Sequence, residues 1–117
     1  MKLNHLNLTV TSVVEAKAFL EKYFGLRSQP EGRSNQNFAI LTDDNGLALT
    51  LMKAGHAMEV KYPGNFHIGF IQESESKVNE IYQRLKDDGF DVKPPEQHHA
   101  WTFYMNAPGG FAVEVLT

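Results

Sequence analysis

Residues recur along this chain at a fixed interval. Gly25 and Gly89 are 64 positions apart, as are Gly46 and Gly110, and Ala48 and Ala112. His5 and His67 recur at 62, which needs only a two-residue offset ahead of the first helix. The predicted elements repeat with the residues. Residues 3–10 alternate, with Leu6, Leu8 and Val10 on one face and His5, Asn7 and Thr9 on the other, which predicts a strand. Thr11 or Ser12 then caps a helix that carries Val13, Ala16, Leu20, Tyr23 and Phe24 at helical spacing and stops at Gly25. Strands follow over about 26–29, 38–42 and 47–52, the last two joined by the hairpin signal Asp43-Asp44-Asn45-Gly46. After a loop over 54–65 the order starts again. A strand is predicted over 67–71, then a helix opened by Ser74 or Ser76 with Val78, Ile81, Tyr82 and Leu85 on one face. Gly89 closes it, and strands follow near 90–93, 101–106 and 111–116.

Such a duplication constrains the fold more than any single motif does. Each half of about 55 residues is marginal alone, so the halves must pair to make one core. The expected architecture is α+β: two βαβββ modules whose curled mixed sheets surround a cleft. Module one spans about 1–54, the linker 55–65 and module two 66–117, forming a single domain. The length of 117 residues fits one such domain. Composition excludes several classes. With 42% apolar and 21% charged residues the chain is an ordinary globular one. It has no cysteine, which excludes a disulfide scaffold, a thiolate zinc site and a cysteine nucleophile. Eleven basic residues against 14 acidic ones give no basic excess for nucleic acid. No apolar run approaches the roughly 20 residues that span a bilayer, and no secretory leader is visible, so a cytoplasmic location without a membrane partner is expected. Phosphate-binding glycine loops and a nucleophile elbow are absent.

The repeat places His5 and His67 at equivalent points near the start of each module's first strand. Glu114 lies on the final strand, on the face opposite Phe111, Val113 and Val115, and its counterpart in module one is Thr50. If the modules pair about a pseudo-twofold axis, His5, His67 and Glu114 converge, with Thr50 in the fourth place. Two imidazoles and one carboxylate make a site for iron, manganese, nickel or zinc, with open positions for a substrate oxygen. Spacing alone leaves a second reading for each. A strand histidine also serves as a hydrogen-bonded, half-buried residue, and a glutamate on an alternating strand also faces solvent.

The stretches Leu3-Asn4-His5-Leu6-Asn7-Leu8-Thr9-Val10, Phe66-His67-Ile68-Gly69-Phe70 and Pro108-Gly109-Gly110-Phe111-Ala112-Val113-Glu114-Val115 resemble the vicinal oxygen chelate superfamily. That superfamily includes glyoxalase I, extradiol dioxygenases, fosfomycin-resistance thiol transferases and bleomycin-resistance proteins. The resemblance covers essentially the whole chain and implies the glyoxalase/bleomycin-resistance/dioxygenase fold. It implies metal ligation by His5, His67 and Glu114. Thr50 departs from the glutamate that glyoxalase I carries as fourth ligand and proton carrier, which argues against that reaction. Asn7 stands where the fosfomycin enzymes usually have threonine.

The resemblance thus implies a divalent-metal-dependent enzyme of lyase, isomerase, dioxygenase or thiol-transferase type. Its partner is a small oxygen-bearing substrate, with Asn7, Thr50 and Tyr104 lining the site and a homodimer as the expected assembly. The alternative from another class is a metal-free protein that sequesters a small aromatic or cationic compound, as bleomycin-resistance proteins do. Its supports are the net charge of −3 and the aromatic residues Phe66, Trp101, Phe103 and Tyr104. Lower-ranked residues are His98 and His99 in a loop over 94–100, His56, and the possible anion contacts Arg27, Arg33 and Lys53.

Overall fold

The computed structural model describes residues 1–28 and 34–117. Its elements are β1 (His5–Val10), α1 (Val13–Phe24), β2 (Arg27–Ser28), β3 (Phe38–Thr42), β4 (Ala48–Lys53), β5 (Ile68–Ile71), α2 (Glu75–Asp87), β6 (Glu96–Gln97), β7 (Trp101–Ala107) and β8 (Phe111–Leu116). The βαβββ order occurs twice, and the protein is α+β. Its sheets run β1-β4-β3-β2 and β5-β8-β7-β6, both open at their edges. In each, the first strand of the module lies parallel to the last, and the other pairings are antiparallel.

The registers coincide as well. The pairs Thr42–Ala48, Ile40–Thr50 and Phe38–Met52 reappear 64 positions on as Asn106–Ala112, Tyr104–Glu114 and Thr102–Leu116. The parallel pair Asn7–Thr50 corresponds to Gly69–Glu114. A slip of one residue would turn every side chain to the other face. The shared register therefore defines which residues of the two modules are true counterparts.

The chain divides into two compact units, Met1–Tyr62 with Pro108–Gly110, and Pro63–Ala107 with Phe111–Thr117. In the first unit, Ser12 is the cap of α1, its side chain accepting from the Glu15 N–H at 3.2 Å. Gly25 ends the helix at φ 67°, a left-handed stop. α1 packs on β3 and β4. It buries Val13, Ala16, Phe19, Leu20 and Tyr23, while Leu8, Val10, Ala39, Leu41, Leu49 and Leu51 are buried in the sheet. Phe19 thus joins the core face, and Phe24 is only half-buried. Leu6 is 38% exposed, so the core alternation of β1 begins at Leu8. The expected hairpin turn is present. Asp43 Oδ1 accepts from the N–H groups of Asn45 and Leu47, at 2.9 and 2.8 Å. Arg27 spans that turn, 2.8 Å from Asp44 Oδ1 and 3.0 Å from the Asp43 carbonyl, so it is part of the fold and not an anion contact. Arg33 and the end of the expected strand at Gln29 lie outside the described residues.

In the second unit, Ser74 and not Ser76 caps α2, accepting from the Lys77 N–H at 3.3 Å. Val78, Ile81 and Leu85 are buried, and α2 packs on β7 and β8. Each such side chain contributes about 1.5–3 kcal/mol by leaving water. The strand expected over 90–93 does not form. The short strand is β6, at Glu96–Gln97, paired with Thr102 and Trp101. Pro94 and Pro95 lack the N–H donors that would extend that ladder backwards. The indole of Trp101 donates to Asn79 Oδ1 of α2 at 2.9 Å. Phe103 is buried core, edge-on to Tyr82 with ring centroids 5.9 Å apart.

Alternation along β7 and β8 turns Phe103, Met105, Ala107, Phe111, Val113 and Val115 inward. Tyr104, Asn106, Ala112 and Glu114 therefore occupy the opposite face. No helix among the described residues is long and apolar enough to cross a membrane.

Candidate functional site

Glu114 sits in mid-sheet on β8, with Gly69 of β5 on one side and Tyr104 of β7 on the other. It is 5% exposed, so the solvent-facing reading of this residue is wrong. A buried carboxylate needs donors, and here the second unit supplies them. His99 Nε2 lies 2.7 Å from Oε1 and the Thr102 hydroxyl 2.8 Å from the same oxygen. His67 Nε2 lies 3.2 Å from Oε2. The Tyr104 hydroxyl also interacts with the carboxylate. Burial pushes the Glu114 carboxyl pKa up. The hydrogen bonds from Thr102, Tyr104 and His99 outweigh burial and hold it below the ordinary value. Tyr104 is shifted the other way. Burial, then its hydrogen bond to Glu114 and the nearby negative charge, raise its pKa and keep the phenol protonated at neutral pH.

His67 directly precedes β5. Its Nδ1 lies 3.1 Å from the Asn65 carbonyl oxygen, and its ring meets that of Tyr104 edge-on, with centroids 5.2 Å apart and planes at 89°. A carbonyl only accepts, so Nδ1 carries the proton. In the neutral imidazole, Nε2 then presents a lone pair. That lone pair faces a carboxylate oxygen 3.2 Å away. Two acceptors this close call for a positive charge between them, either a second ring proton or a cation. Ligand atoms at about 2.0–2.2 Å from one ion, at roughly a right angle, are separated by such a distance. The donor set of His67 and Glu114 therefore fits a divalent metal.

His5, at the start of β1 in the first unit, is arranged alike. Its Nδ1 lies 3.0 Å from Asn4 Oδ1, which leaves Nε2 available. On the same sheet Thr50 donates to Asn7 Oδ1 at 2.7 Å. Of the residues singled out in the sequence, His67, Glu114 and Tyr104 are thus gathered in the second unit, and Asn7 and Thr50 in the first. Among the described residues, no three histidine, aspartate or glutamate side chains are gathered closely enough to hold a metal ion. His98 pairs with Glu96 at 3.1 Å, and His56 and Lys53 are exposed.

Two members of the site escape the sequence reading, and a third ranks low in it. Thr102 reads as an ordinary strand residue, Lys93 falls in a segment misread as a strand, and His99 is only a lower-ranked residue of the loop over 94–100. Lys93 lines a cavity of about 630 Å³ in the second unit, together with Phe66, His67, Asp91, Tyr104 and Asn106. That volume suits a small molecule. The useful signal was the hairpin. Once β6 is placed at Glu96–Gln97, His99 belongs to the turn leading into β7, on the strand next to Glu114.

The family description "Glyoxalase/Bleomycin resistance protein/Dioxygenase superfamily" matches residues 2–115. Among solved structures, a possible glyoxalase from Bacillus cereus is 54% identical, with a TM-score of 0.89 over 100% of this chain and 99% of that one. The genomically encoded fosfomycin resistance protein FosX from Listeria monocytogenes, an E126Q mutant complexed with Mn(II) and 1S,2S-dihydroxypropylphosphonic acid, is 21% identical. Its TM-score is 0.75 over 99% of this chain and 91% of that one. Lactoylglutathione lyase from Agrobacterium tumefaciens is 17% identical, with a TM-score of 0.75 over 98% and 92%. At these lower identities the likeness shows the shared fold. A comparison with curated proteins finds no match.

Proposed function

Because the chain belongs to the glyoxalase/bleomycin resistance protein/dioxygenase superfamily, we propose that it is a divalent-metal-dependent enzyme acting on a small oxygen-bearing substrate. His5, His67 and Glu114 are the proposed ligands, with iron, manganese, nickel and zinc as candidates. One observation carries the reading: His67, anchored through Nδ1, places Nε2 3.2 Å from a buried carboxylate oxygen. The chemistry supplied by a bound ion is Lewis-acid polarisation of a substrate oxygen and stabilisation of the charge that develops on it.

The chain's own residues complete the site. Tyr104 stays protonated, and its hydroxyl, hydrogen-bonded to Glu114 here, can turn its one proton to a substrate oxygen once a cation takes over the carboxylate charge. Lys93 makes no ion pair among the described residues and is available to an acidic group of the substrate in the cavity it lines. Asn7 and Thr50 line the site with neutral hydrogen-bonding groups. Thr50 has no basic atom to take a proton from carbon, so the reading favours reactions that need no base at that place over glyoxalase I isomerisation.

Titration of the purified protein with manganese, iron, nickel and zinc tests the proposal. At least one ion is expected to bind with micromolar affinity or better, and His5→Ala to weaken it at least tenfold. The proposal fails if none binds at that level and His5→Ala changes nothing. A second reading, metal-free sequestration of a small aromatic or cationic compound, draws on Asp91, whose carboxylate has no ion pair among the described residues, and on Phe66 and Tyr104, which line the same cavity. It predicts ligand binding unaltered by a chelator. We also propose a homodimer, supported by Ile71, 77% exposed on the edge strand β5. Light scattering at micromolar concentration is expected to give twice the chain mass, and a strict monomer refutes it.

A further inference from the structure

The geometry points to His99 as a positioning residue that fixes which oxygen of Glu114 is offered to a metal. The inference rests on the metal reading above and concerns how the carboxylate is held. The two oxygens of Glu114 are chemically alike, but their surroundings are not. Oε1 takes two donors, His99 Nε2 at 2.7 Å and the Thr102 hydroxyl at 2.8 Å. The Thr102 proton has a second acceptor in reach, the Val115 carbonyl at 3.0 Å, and the carboxylate is the stronger of the two. Thr102 alone is therefore a shared donor, and His99 is the one dedicated to Oε1. Oε2 faces His67 Nε2, at 3.2 Å, and the Tyr104 hydroxyl also hydrogen-bonds the carboxylate. With Oε1 occupied, the carboxylate can offer a cation one oxygen and not both.

The hairpin that carries His99 is built to aim it. The His98 N–H closes the tip onto the Ala100 carbonyl at 2.9 Å, and the His98 ring turns away to Glu96 at 3.1 Å. The two adjacent histidines thus have different work: one ties the hairpin to itself, the other reaches from β6–β7 to β8. The His99 side chain is 55% exposed, so it adds little to core packing. Its short contact with the most buried carboxylate of the sheet has an energetic role only through that carboxylate. Outer partners of this kind set ligand orientation and commonly change metal affinity 10–100-fold.

Manganese(II) titration, followed by calorimetry and by the electron paramagnetic resonance spectrum of the bound ion, tests this on wild-type protein, His99→Ala and His99→Gln. His99→Ala is expected to bind manganese about 10–100-fold more weakly and to change the spectrum, as Oε1 becomes free to join Oε2. His99→Gln is expected to recover most of the affinity, because its amide N–H can donate to Oε1. A His99→Ala protein that matches wild type in affinity and spectrum overturns the positioning role alone. Wild-type protein that binds no manganese overturns both this inference and the metal reading. If His99→Ala does not fold, His99→Gln decides: near wild-type affinity supports the role, and a tenfold loss refutes it.

Discussion

The two modules share order, register and helix caps, yet they do different things with the same frame. At the central register position, module one holds Thr50 between Asn7 and Ile40, and module two holds Glu114 between Gly69 and Tyr104. The first pair is neutral and satisfies itself, hydroxyl to amide oxygen at 2.7 Å. The second is a charge that draws in Thr102, His99, His67 and Tyr104. Even the positions beyond it diverge. Asn35, the counterpart of His99, spends its side-chain oxygen on the N–H groups of Asn37 and Phe38 in its own loop. A duplicated scaffold thus fixes where side chains point, and a few substitutions on one sheet face decide which copy carries the chemistry.

The modules' hairpin turns offer the largest test of that contrast. Gly46 and Gly110 are counterparts, at φ 81° and 96°. A side chain at Gly46 would meet nothing within 4 Å, so Gly46→Ala is left with backbone strain alone, about 1 kcal/mol. At Gly110 a Cβ would lie 2.9 Å from Val60 Cγ1, a short branched side chain that cannot swing aside. Gly110→Ala is therefore expected to cost about 3 kcal/mol, strain and overpacking together. Urea unfolding of the two variants measures both. Equal losses would refute the claim that only the second turn is packed against its surroundings.

The next difference lies at the end of each first strand. Tyr62 clasps Thr9 from both sides, its hydroxyl donating to the Thr9 carbonyl at 2.8 Å and accepting from the Thr9 N–H at 2.9 Å. The counterpart of Thr9 is the exposed Ile71, with no such clasp among the described contacts. Tyr62→Phe is expected to cost about 1–2 kcal/mol, since both backbone groups lose a partner. Burial also raises the Tyr62 pKa above 10.0, against the weaker lowering effect of its bond to Thr9. The folded state thus holds the phenolic proton more tightly than the unfolded one. Its contribution is complete below about pH 10 and is lost as pH rises through the folded value. Wild-type protein should lose stability in that range more steeply than Tyr62→Phe, and parallel pH curves would refute the role.

The frame was legible because its signals are local. Ser12 and Gly25 bracket α1 as their chemistry demands, and the 64-residue interval that links glycines in the sequence is the interval of the strand registers. Errors arose where a distant partner decides. A short edge strand such as β6 has no periodicity to read, and the apolar Phe90 and Val92 drew the assignment upstream of two prolines. Alternation marks Glu114 as facing away from the Val113 and Val115 side, correctly. It says nothing of His99 and Thr102, which cover it. His99 itself ranks low in the sequence because its partner is 15 positions away and belongs to another strand. Side-chain direction follows from strand period, whereas burial of a polar group depends on which donors arrive over it.

Smaller effects should divide the modules in the same way. The helix caps belong to the shared frame, so Ser12→Ala and Ser74→Ala should each cost about 1 kcal/mol, without preference for either copy. Thermal unfolding that separates them by more than twofold would show the frames to be less alike than their registers. The hydroxyl donors on the two sheet faces should differ instead. Thr102→Val removes a buried donor from a buried carboxylate and is expected to cost about 1–2 kcal/mol. Thr50→Val removes a donor from Asn7, an exposed side chain that water can satisfy, so the expected loss is only about 0.5 kcal/mol. A double-mutant cycle of Thr50→Val with Asn7→Ala measures that pair directly. A coupling as large as that between Thr102 and Glu114 would mean that module one's polar pair is held as firmly as module two's charge, and the division between a neutral copy and a charged one would no longer separate their energetics.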